Sequence, residues 1–374
     1  MRIHFIVRTL NEKTGGGSHH NALAYIRFLK QKGHEVTIHA FAKEGTTAPD
    51  DLSITVHNFG ATNFTVAHRA LAKILCENQQ NADVFFLYGV DFLWGGGLYR
   101  KEGGLVSVVV YLDTYLPSMN LGSPDAGSSF TRSLYRLKRM VWEKTVGRNY
   151  RACVDMYLAV SPFLEEVYVR YGFPAEKFKV LPNAFTLPET ISRSVEVQAE
   201  VRLIYAGRII RDKGIDLLIR ALTKCREYAW TLTIVGSGPM LEKCKEMVRL
   251  AKLENQISFV PWVDRTKLAE LYEVSDIFVH PARWPEPFGR TLVEAMSHSL
   301  SLIVPQYGAA AWVVDGAGIS FQNGNKHDLE KALRNILTDP QLRMTLAAQG
   351  PSRAGEFNVS SVGPQLERLL QAVT

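Results

Sequence analysis

The stretch FVHPARWPEPFGRTLVEAM, Phe278 to Met296, decides how this chain is read. With Ile277 ahead of it, the apolar opening predicts a short strand over Ile277 to Val279. Pro281, Pro285 and Pro287 turn the next residues into a bend, because proline lacks the N–H that a strand or helix interior needs. A helix is predicted to open near Gly289. The bend carries Glu286 and the helix carries Glu294, so two carboxylates flank a helix N-terminus. The first N–H groups of such a helix lack internal partners and, with the macrodipole, attract phosphate or polarised sugar oxygens. A carboxylate is a poor phosphate ligand, yet it accepts paired hydroxyl groups well. Phosphate and polyol in one pocket point to a sugar nucleotide. Glu294 alone reads equally as an exposed helix residue, whereas Glu286 is held by the prolines on either side of it.

Outward from that stretch, length and composition set bounds. At 374 residues the chain is too long for one ordinary core, and about 100–200 residues per domain gives two. With 46% hydrophobic and 21% charged residues it has the composition of folded soluble domains and not of a disordered chain. The longest apolar run, near Leu105 to Leu112, falls well short of the ~18 residues that cross a bilayer. The N-terminal MRIHFIV meets Arg8 directly and reads as a first strand, not a secretory leader. Cys76, Cys153, Cys225 and Cys244 contain no C-x-x-C pair, which argues against a zinc site or disulfide framework and for a reducing compartment, the cytoplasm by default. The net charge of +6 suits an anionic substrate, an anionic membrane surface or nucleic acid equally. No groove-reading motif is present, so nucleic acid is not expected as a partner.

Along the chain, Arg2 to Val7 is predicted as a strand and TLNEKTGGGS as the loop leaving it. His19 to Lys32 carries Leu23, Ile26 and Leu29 at helical spacing, Gly33 ends the helix, and HEVTIHAF completes a βαβ unit. Apolar segments at Val84 to Tyr88, Leu105 to Tyr111 and Met156 to Val160 alternate with helical stretches, which favours a parallel sheet covered on both faces, with ligands at the carboxyl ends of its strands. After LPNAF, the polar and aperiodic TLPETISRSVEVQAE (Thr186 to Glu200) reads as a linker. A second βα series then runs through VRLIYAG, TLTIVG, ISFV and IFVHP, and Asp339-Pro340 marks a late helix start. The expected division is residues 1–185, a linker over 186–200, and 201–356.

Four groups of residues are candidates for chemistry. Gly15, Gly16 and Gly17 let backbone approach a ligand at a helix N-terminus, against the competing reading of a mobile surface turn. A dinucleotide fingerprint is excluded there: its third glycine is replaced by His20, and Phe41 and Ala42 stand where its acidic residue belongs. Arg208 and Lys213, after Gly207 in GRIIRDKG, are placed to hold a diphosphate, the first as a planar fork and the second as a mobile point charge, although a solvated turn explains the charge run equally well. Gly236 and Gly238 in IVGSGPM are accounted for by a tight turn with Pro239 opening a helix. The segment FTRSLYRLKRMVWEKTVGRNYR (Phe130 to Arg151) reads as a basic helix with Leu134, Leu137, Val141 and Trp142. It would suit an anionic bilayer and a lipid-linked acceptor, or an ordinary helix packed on the sheet with a solvated basic side. No D-x-D triplet is present, and charge on a leaving phosphate can be stabilised by fixed cations as well as by a metal. Metal-independent chemistry without a cofactor is therefore expected.

The E-x7-E element in EPFGRTLVEAM, preceded by YAGRIIRDKG and the GGG loop in that order, resembles the family-four retaining glycosyltransferases of the GT-B fold, over nearly the whole chain. The resemblance implies an α/β protein of two Rossmann-like doubly wound domains facing each other across a cleft. The N-terminal domain would take the acceptor and the C-terminal domain the nucleotide-sugar donor, with a last helix, about 357–374, crossing back to the first domain. It implies that Gly16 and Gly17 approach the donor's diphosphate and sugar, and that Arg208 and Lys213 neutralise the departing nucleoside diphosphate. It sets Glu286 against the sugar hydroxyls and Glu294 against the ribose. Gly207, Gly236, Gly238, Phe288, Gly289, Arg290 and Thr291 would line the donor site. Asp113 stands where the family often has His-Asp, but Leu112 replaces the histidine, leaving His19 or His20 as substitutes. Two further departures are Ser299 and Ser301 in place of a Gly-x-Pro turn, and Gly308, Ala309, Ala310, Ala311 and Trp312 in place of a Gly-Gly loop ending in Glu. The implied activity is transfer of a hexose from a UDP- or GDP-linked sugar to a glycan or glycolipid. A noncatalytic nucleotide-sugar-binding partner of another transferase, and a phosphorylase or epimerase of the same fold, are the alternatives.

Overall fold

The computed structural model describes residues 1–12, 16–41, 49–57, 64–119, 130–187 and 200–374, side chains excepted at 64–65 and 130–136. Gly15 and residues 188–199 of the expected linker lie outside the described residues. The chain divides into two compact units, one made of the described parts of 1–186 together with 357–374, the other of 187–356.

In the first unit the elements run β1 (Arg2–Val7), α1 (Gly17–Gln31), β2 (Glu35–Ala40), β3 (Ile54–Val56), α2 (Phe64–Asn78), β4 (Val84–Tyr88), α3 (Leu93–Lys101), β5 (Ser107–Leu112), α4 (Phe130–Lys144), α5 (Val146–Cys153), β6 (Met156–Ala159), α6 (Pro162–Arg170) and β7 (Phe178–Val180). The strands pair in parallel in the order β3-β2-β1-β4-β5-β6-β7. Every residue of β4 is buried, which is why it reads as an unbroken apolar run and not as an alternation: helices cover both faces of the sheet. α1 opens at Gly17, two residues before the predicted start, and buries Leu23, Ile26 and Leu29 on one stripe.

The second unit runs β8 (Val201–Ala206), α7 (Ile215–Leu222), β9 (Trp230–Val235), α8 (Leu241–Leu250), β10 (Ile257–Val260), α9 (Arg265–Glu273), β11 (Ile277–Val279), α10 (Arg290–Ser297), β12 (Ser301–Pro305), α11 (Ala310–Val314), β13 (Gly318–Phe321), α12 (Lys326–Thr338) and α13 (Pro340–Gly355). Its parallel order is β10-β9-β8-β11-β12-β13, the arrangement of the first unit with one strand fewer. Leu203, Leu218, Trp230, Ile234 and Ile277 form its core. Asp339 caps α13 as predicted, its carboxylate accepting the Leu342 N–H at 2.9 Å with Pro340 in the first position. α8, by contrast, begins at Leu241, so Pro239 belongs to the turn and does not open the helix. In each sheet the strand order reverses beside the first strand, at β1/β4 and at β8/β11. Loops leaving the carboxyl ends of such a pair diverge and open a crevice.

The last helix, α14 (Val359–Gln371), is part of the first unit. Val362, Leu366 and Leu370 are buried, and Gly363 lies so close to α1 that a side-chain carbon there would stand 2.5 Å from the Phe28 ring.

One expectation is corrected. Residues 130–151 are not a single basic helix but α4 and α5, broken at Thr145 (φ −102°, ψ −87°), whose hydroxyl donates to the Val141 carbonyl at 2.8 Å. Trp142 packs edge-on to Trp94 (5.4 Å), Glu143 is fully buried, and the guanidinium of buried Arg151 lies 5.0 Å over the Phe173 ring. Only part of the segment is a solvated basic face: Leu137, Lys138, Val141, Lys144, Val146 and Arg148 are exposed, and the side chains of Arg132, Leu134 and Arg136 lie outside the described residues. Among the described residues no helix is long and apolar enough to cross a membrane.

Candidate active site

The loops that follow β8 and β11 carry the charged residues singled out in the sequence. Beside β8, the loop is held by backbone contact with the loop after β9: the Ile209 N–H donates to the Ser237 carbonyl (2.8 Å) and the Met240 N–H to the Ile209 carbonyl (3.1 Å). Gly236 has φ 141°, and a side-chain carbon on it would stand 2.0 Å from the Gly207 carbonyl oxygen, so only glycine permits this approach. Gly207, Gly236 and Gly238 therefore have a packing role, whatever else they do. From this platform Arg208 projects into solvent, with no side-chain hydrogen bond or ion pair to the described residues.

Lys213 closes the same loop, and its ammonium is hydrogen-bonded to Glu286 Oε1. His280 Nε2 stands 3.1 Å from that same oxygen. His280 leaves the end of β11, where its N–H still pairs with the Ile303 carbonyl (2.8 Å), and its side chain is only 2% exposed. Burial alone would raise the pKa of Glu286, but Lys213 and His280 outweigh it and hold the carboxyl well below the usual carboxylate range. Glu294, on α10, goes the other way: burial pushes its pKa up, against the opposing charges of Arg290 and Arg265. One glutamate of the pair is a fixed anion, and the other is the more easily protonated.

Gly289 precedes α10 with φ 97°, and Arg290 and Thr291 begin that helix, both half-buried. Phe288 is buried edge-on to Trp312 at 6.3 Å. The indole that departs from the family pattern is fastened from its other side by Arg353, whose guanidinium lies 5.5 Å over the ring and donates to the Trp312 carbonyl at 2.6 Å. The loop's Ala309 N–H donates to the Glu286 carbonyl at 2.9 Å, so the substituted loop still braces the bend. Ser299 takes the left-handed conformation (φ 57°) that glycine adopts without strain, at an expected cost of about 1 kcal/mol.

In the first unit, Gly16 precedes α1 with open space where a side chain would begin: no described atom lies within 4 Å of that point. Ser18, in the first turn, donates to Asp113 Oδ2 at 2.9 Å, and burial, partly offset by that hydrogen bond, raises the Asp113 pKa. Asn21 donates to the hydroxyls of Tyr88 (2.8 Å) and Tyr111 (3.3 Å), which fixes this end of α1 to the sheet. His19 Nδ1 accepts the Asn11 N–H at 3.0 Å, and the partner of Asp113 is the Ser18 hydroxyl. Sequence reasoning singled out Lys213, Glu286, Gly16, Gly17 and Asp113 one by one, without the Lys213–Glu286 contact, and missed His280 and Ser18. Ser18 adjoins Gly17, and His280 stands in the same stretch as Glu286.

Residues 15–187 match the family model described as Glycosyltransferase Family 4, and residues 189–353 match Glycosyl transferases group 1. An uncharacterized glycosyltransferase of Methanocaldococcus jannaschii, MJ1607, is 30% identical over 207 residues, 51% of this chain and 52% of that one, so the matched part spans about half the relative's length. Among solved structures, Anabaena HepE in complex with UDP superposes with a TM-score of 0.74 at 20% identity, covering 100% of both chains. The lipopolysaccharide outer core galactosyltransferase WaaB superposes with a TM-score of 0.78 at 15% identity, over 100% of this chain and 99% of that one. At these identities the structures establish the fold, which is GT-B. With two adjoining family models matched in order and both sheets of that fold present, the chain belongs to the family 4, group 1 glycosyltransferases.

Proposed function

We propose that the chain transfers a hexose from a nucleoside diphosphate sugar, UDP- or GDP-linked, to a glycan or glycolipid acceptor with retention at the anomeric carbon, in assembly of a surface polysaccharide or lipopolysaccharide. The observation that carries the reading is Lys213 and His280 meeting on one oxygen of buried Glu286, with exposed Arg208 in the same loop as Lys213, at the carboxyl ends of the two strands where the sheet order reverses. A lysine paired to a carboxylate in the free protein is available to a stronger anion, and the carboxylate it leaves is available to hydroxyls. In this reading the diphosphate takes Arg208 and Lys213, Glu286 turns to the sugar hydroxyls with His280 behind it, and Glu294 accepts from the ribose.

The bond from the anomeric carbon to the β-phosphate oxygen breaks with its electrons passing to phosphate. The two fixed cations stabilise that charge without a divalent metal. The acceptor hydroxyl forms the new bond and its proton passes to the departing phosphate, so no strong protein base is required. Asp113, held by Ser18, and the open backbone at Gly16 and Gly17 serve the acceptor and the donor sugar. The complex of Anabaena HepE with UDP and the function named for WaaB support the donor class and the setting. We extend the proposal to peripheral contact with the inner face of the cell membrane through 130–151.

A thermal-shift panel of UDP, GDP, ADP and their common sugars tests it, since a ligand at 100 times its Kd stabilises by about 2.7 kcal/mol. One nucleotide series is expected to raise Tm, and its sugar to be slowly hydrolysed without acceptor, in EDTA as in buffer. No response to any nucleotide would end the reading. Binding without hydrolysis would favour a noncatalytic partner.

A further inference from the structure

Lys213 sits in a turn over Arg211–Lys213, and Glu286 in a separate bend, so their meeting depends on something that ties the two loops together. Arg283 does this with both its backbone and its side chain. Its N–H donates to the Asp212 carbonyl at 2.8 Å, and its Nη1 donates to the Arg211 carbonyl at 2.9 Å. The guanidinium then forks onto Asp216 in the first turn of α7, Nη1 to Oδ1 at 2.7 Å and Nη2 to Oδ2 at 2.9 Å. Asp216 is buried, and its second cation, Arg220, is farther away at 3.8 Å. Gly214 completes the joint: its φ is 71° and a side-chain carbon on it would stand 1.9 Å from the Pro281 carbonyl oxygen, so the two loops touch along their backbones. Both carbonyls immediately preceding Lys213 are thus occupied by one residue that lies three positions before Glu286.

We infer that Arg283 is a positioning residue, which with Asp216 holds the Lys213 turn against the Glu286 bend and so sets where the lysine charge meets the departing phosphate. The inference rests on the donor-site reading of Lys213 and Glu286. A planar guanidinium is suited to the task, because it can join a carboxylate and a carbonyl in one fixed geometry where an ammonium cannot. Since the effect passes through Lys213, the two residues are coupled, and coupled residues depart from additivity.

The test is a double-mutant cycle of Arg283→Gln and Lys213→Ala in the full chain. It is read as kcat and KM with the donor chosen by the nucleotide panel, and as affinity for the matching nucleoside diphosphate. Arg283→Gln alone is expected to lower kcat roughly tenfold, the size of one charge-assisted hydrogen bond, with donor KM within about threefold. Added to Lys213→Ala it is expected to lower kcat no further. Arg283→Lys, which keeps the charge and loses the fork, is expected to fall between parent and Arg283→Gln. A residue that merely supports the fold would lower Tm and the active fraction while leaving the per-site kcat intact. If Arg283→Gln does not fold, Asp216→Asn removes the other half of the fork and takes its place in the cycle. Unchanged kcat, or a loss that adds in full to that of Lys213→Ala, overturns the inference while leaving the donor site standing. A parent protein that binds no nucleotide overturns the donor-site reading, and the inference with it.

Discussion

At the scale of single residues, the site is governed by one shared oxygen. Lys213 and His280 both address Glu286 Oε1, and the carboxylate is buried. Replacing Lys213 by alanine therefore does two things. On the proposed reading it removes a cation from the departing phosphate, worth roughly 1.5–3 kcal/mol or about 10- to 100-fold in turnover. It also leaves Glu286 with His280 as its one remaining counter-group at that oxygen, so burial moves its pKa upward. Initial rates of Lys213→Ala are expected to fall by that factor, and turnover within twofold of the parent would remove the lysine from the mechanism. His280 and Arg283 stand in the same stretch as Glu286 and Glu294, yet neither residue type announces its role: a histidine after a strand and an arginine among prolines are ordinary surface features in a sequence. Arg283 meets Arg211 and Asp216, 72 and 67 positions away in the chain, and His280 acts on a carboxylate that only the folded bend turns back toward it.

At the scale of elements, the first unit holds a feature that no local pattern foretold. His4 on β1, His39 on β2 and His57 just beyond β3 form a hydrogen-bonded row: His4 Nε2 to the Asn81 carbonyl (3.2 Å), His4 Nδ1 to His39 Nε2 (3.0 Å), and His39 Nδ1 to His57 Nε2 (2.9 Å). A carbonyl only accepts, so a neutral His4 donates from Nε2 and accepts at Nδ1. In the neutral row His39 and His57 then take the same tautomer, each donating from Nε2 to the ring before it. Burial lowers the pKa of each, and for His39, where the charges of His4 and His57 add to the effect, to about 4. The charged groups acting on the row are Glu35 and Arg2 at His4 and Glu77 at His57. Because the folded pKa lies below the unfolded value near 6.5, the unfolded chain binds more protons between the two. The stability is full above about pH 6.5 and is lost as pH falls toward 4. Urea unfolding at pH 5.0 is expected to show about 1–3 kcal/mol less stability than at pH 7.5. His39→Gln keeps a donor and an acceptor without titrating, and is expected to lose less. Equal stability at both pH values would mean that the row does not titrate.

At the scale of the whole molecule, the net charge of +6 and the exposed Leu137, Val141 and Val146 among Lys138, Lys144 and Arg148 lead to the membrane prediction. Exposed aliphatic residues interleaved with cations suit an anionic surface. The protein is expected to float with phosphatidylglycerol vesicles at low salt, to be released at high salt, and to ignore neutral phosphatidylcholine. No flotation with anionic vesicles at low salt would end that part of the proposal. The sequence by itself determined the alternation of strands and helices, the parallel sheets and the helix N-terminus after Gly289. Strand burial, helical spacing, proline and glycine act over a few residues and leave their mark in local order. Only the tertiary structure decided that Lys213 meets Glu286, that Arg283 holds the two loops together, that three histidines form a row, and that Trp142, Glu143 and Arg151 of a supposedly basic surface turn inward. Those outcomes depend on which strands lie side by side. In a sheet whose order reverses beside its first strand, the residues brought together at the strand ends are far apart in the chain.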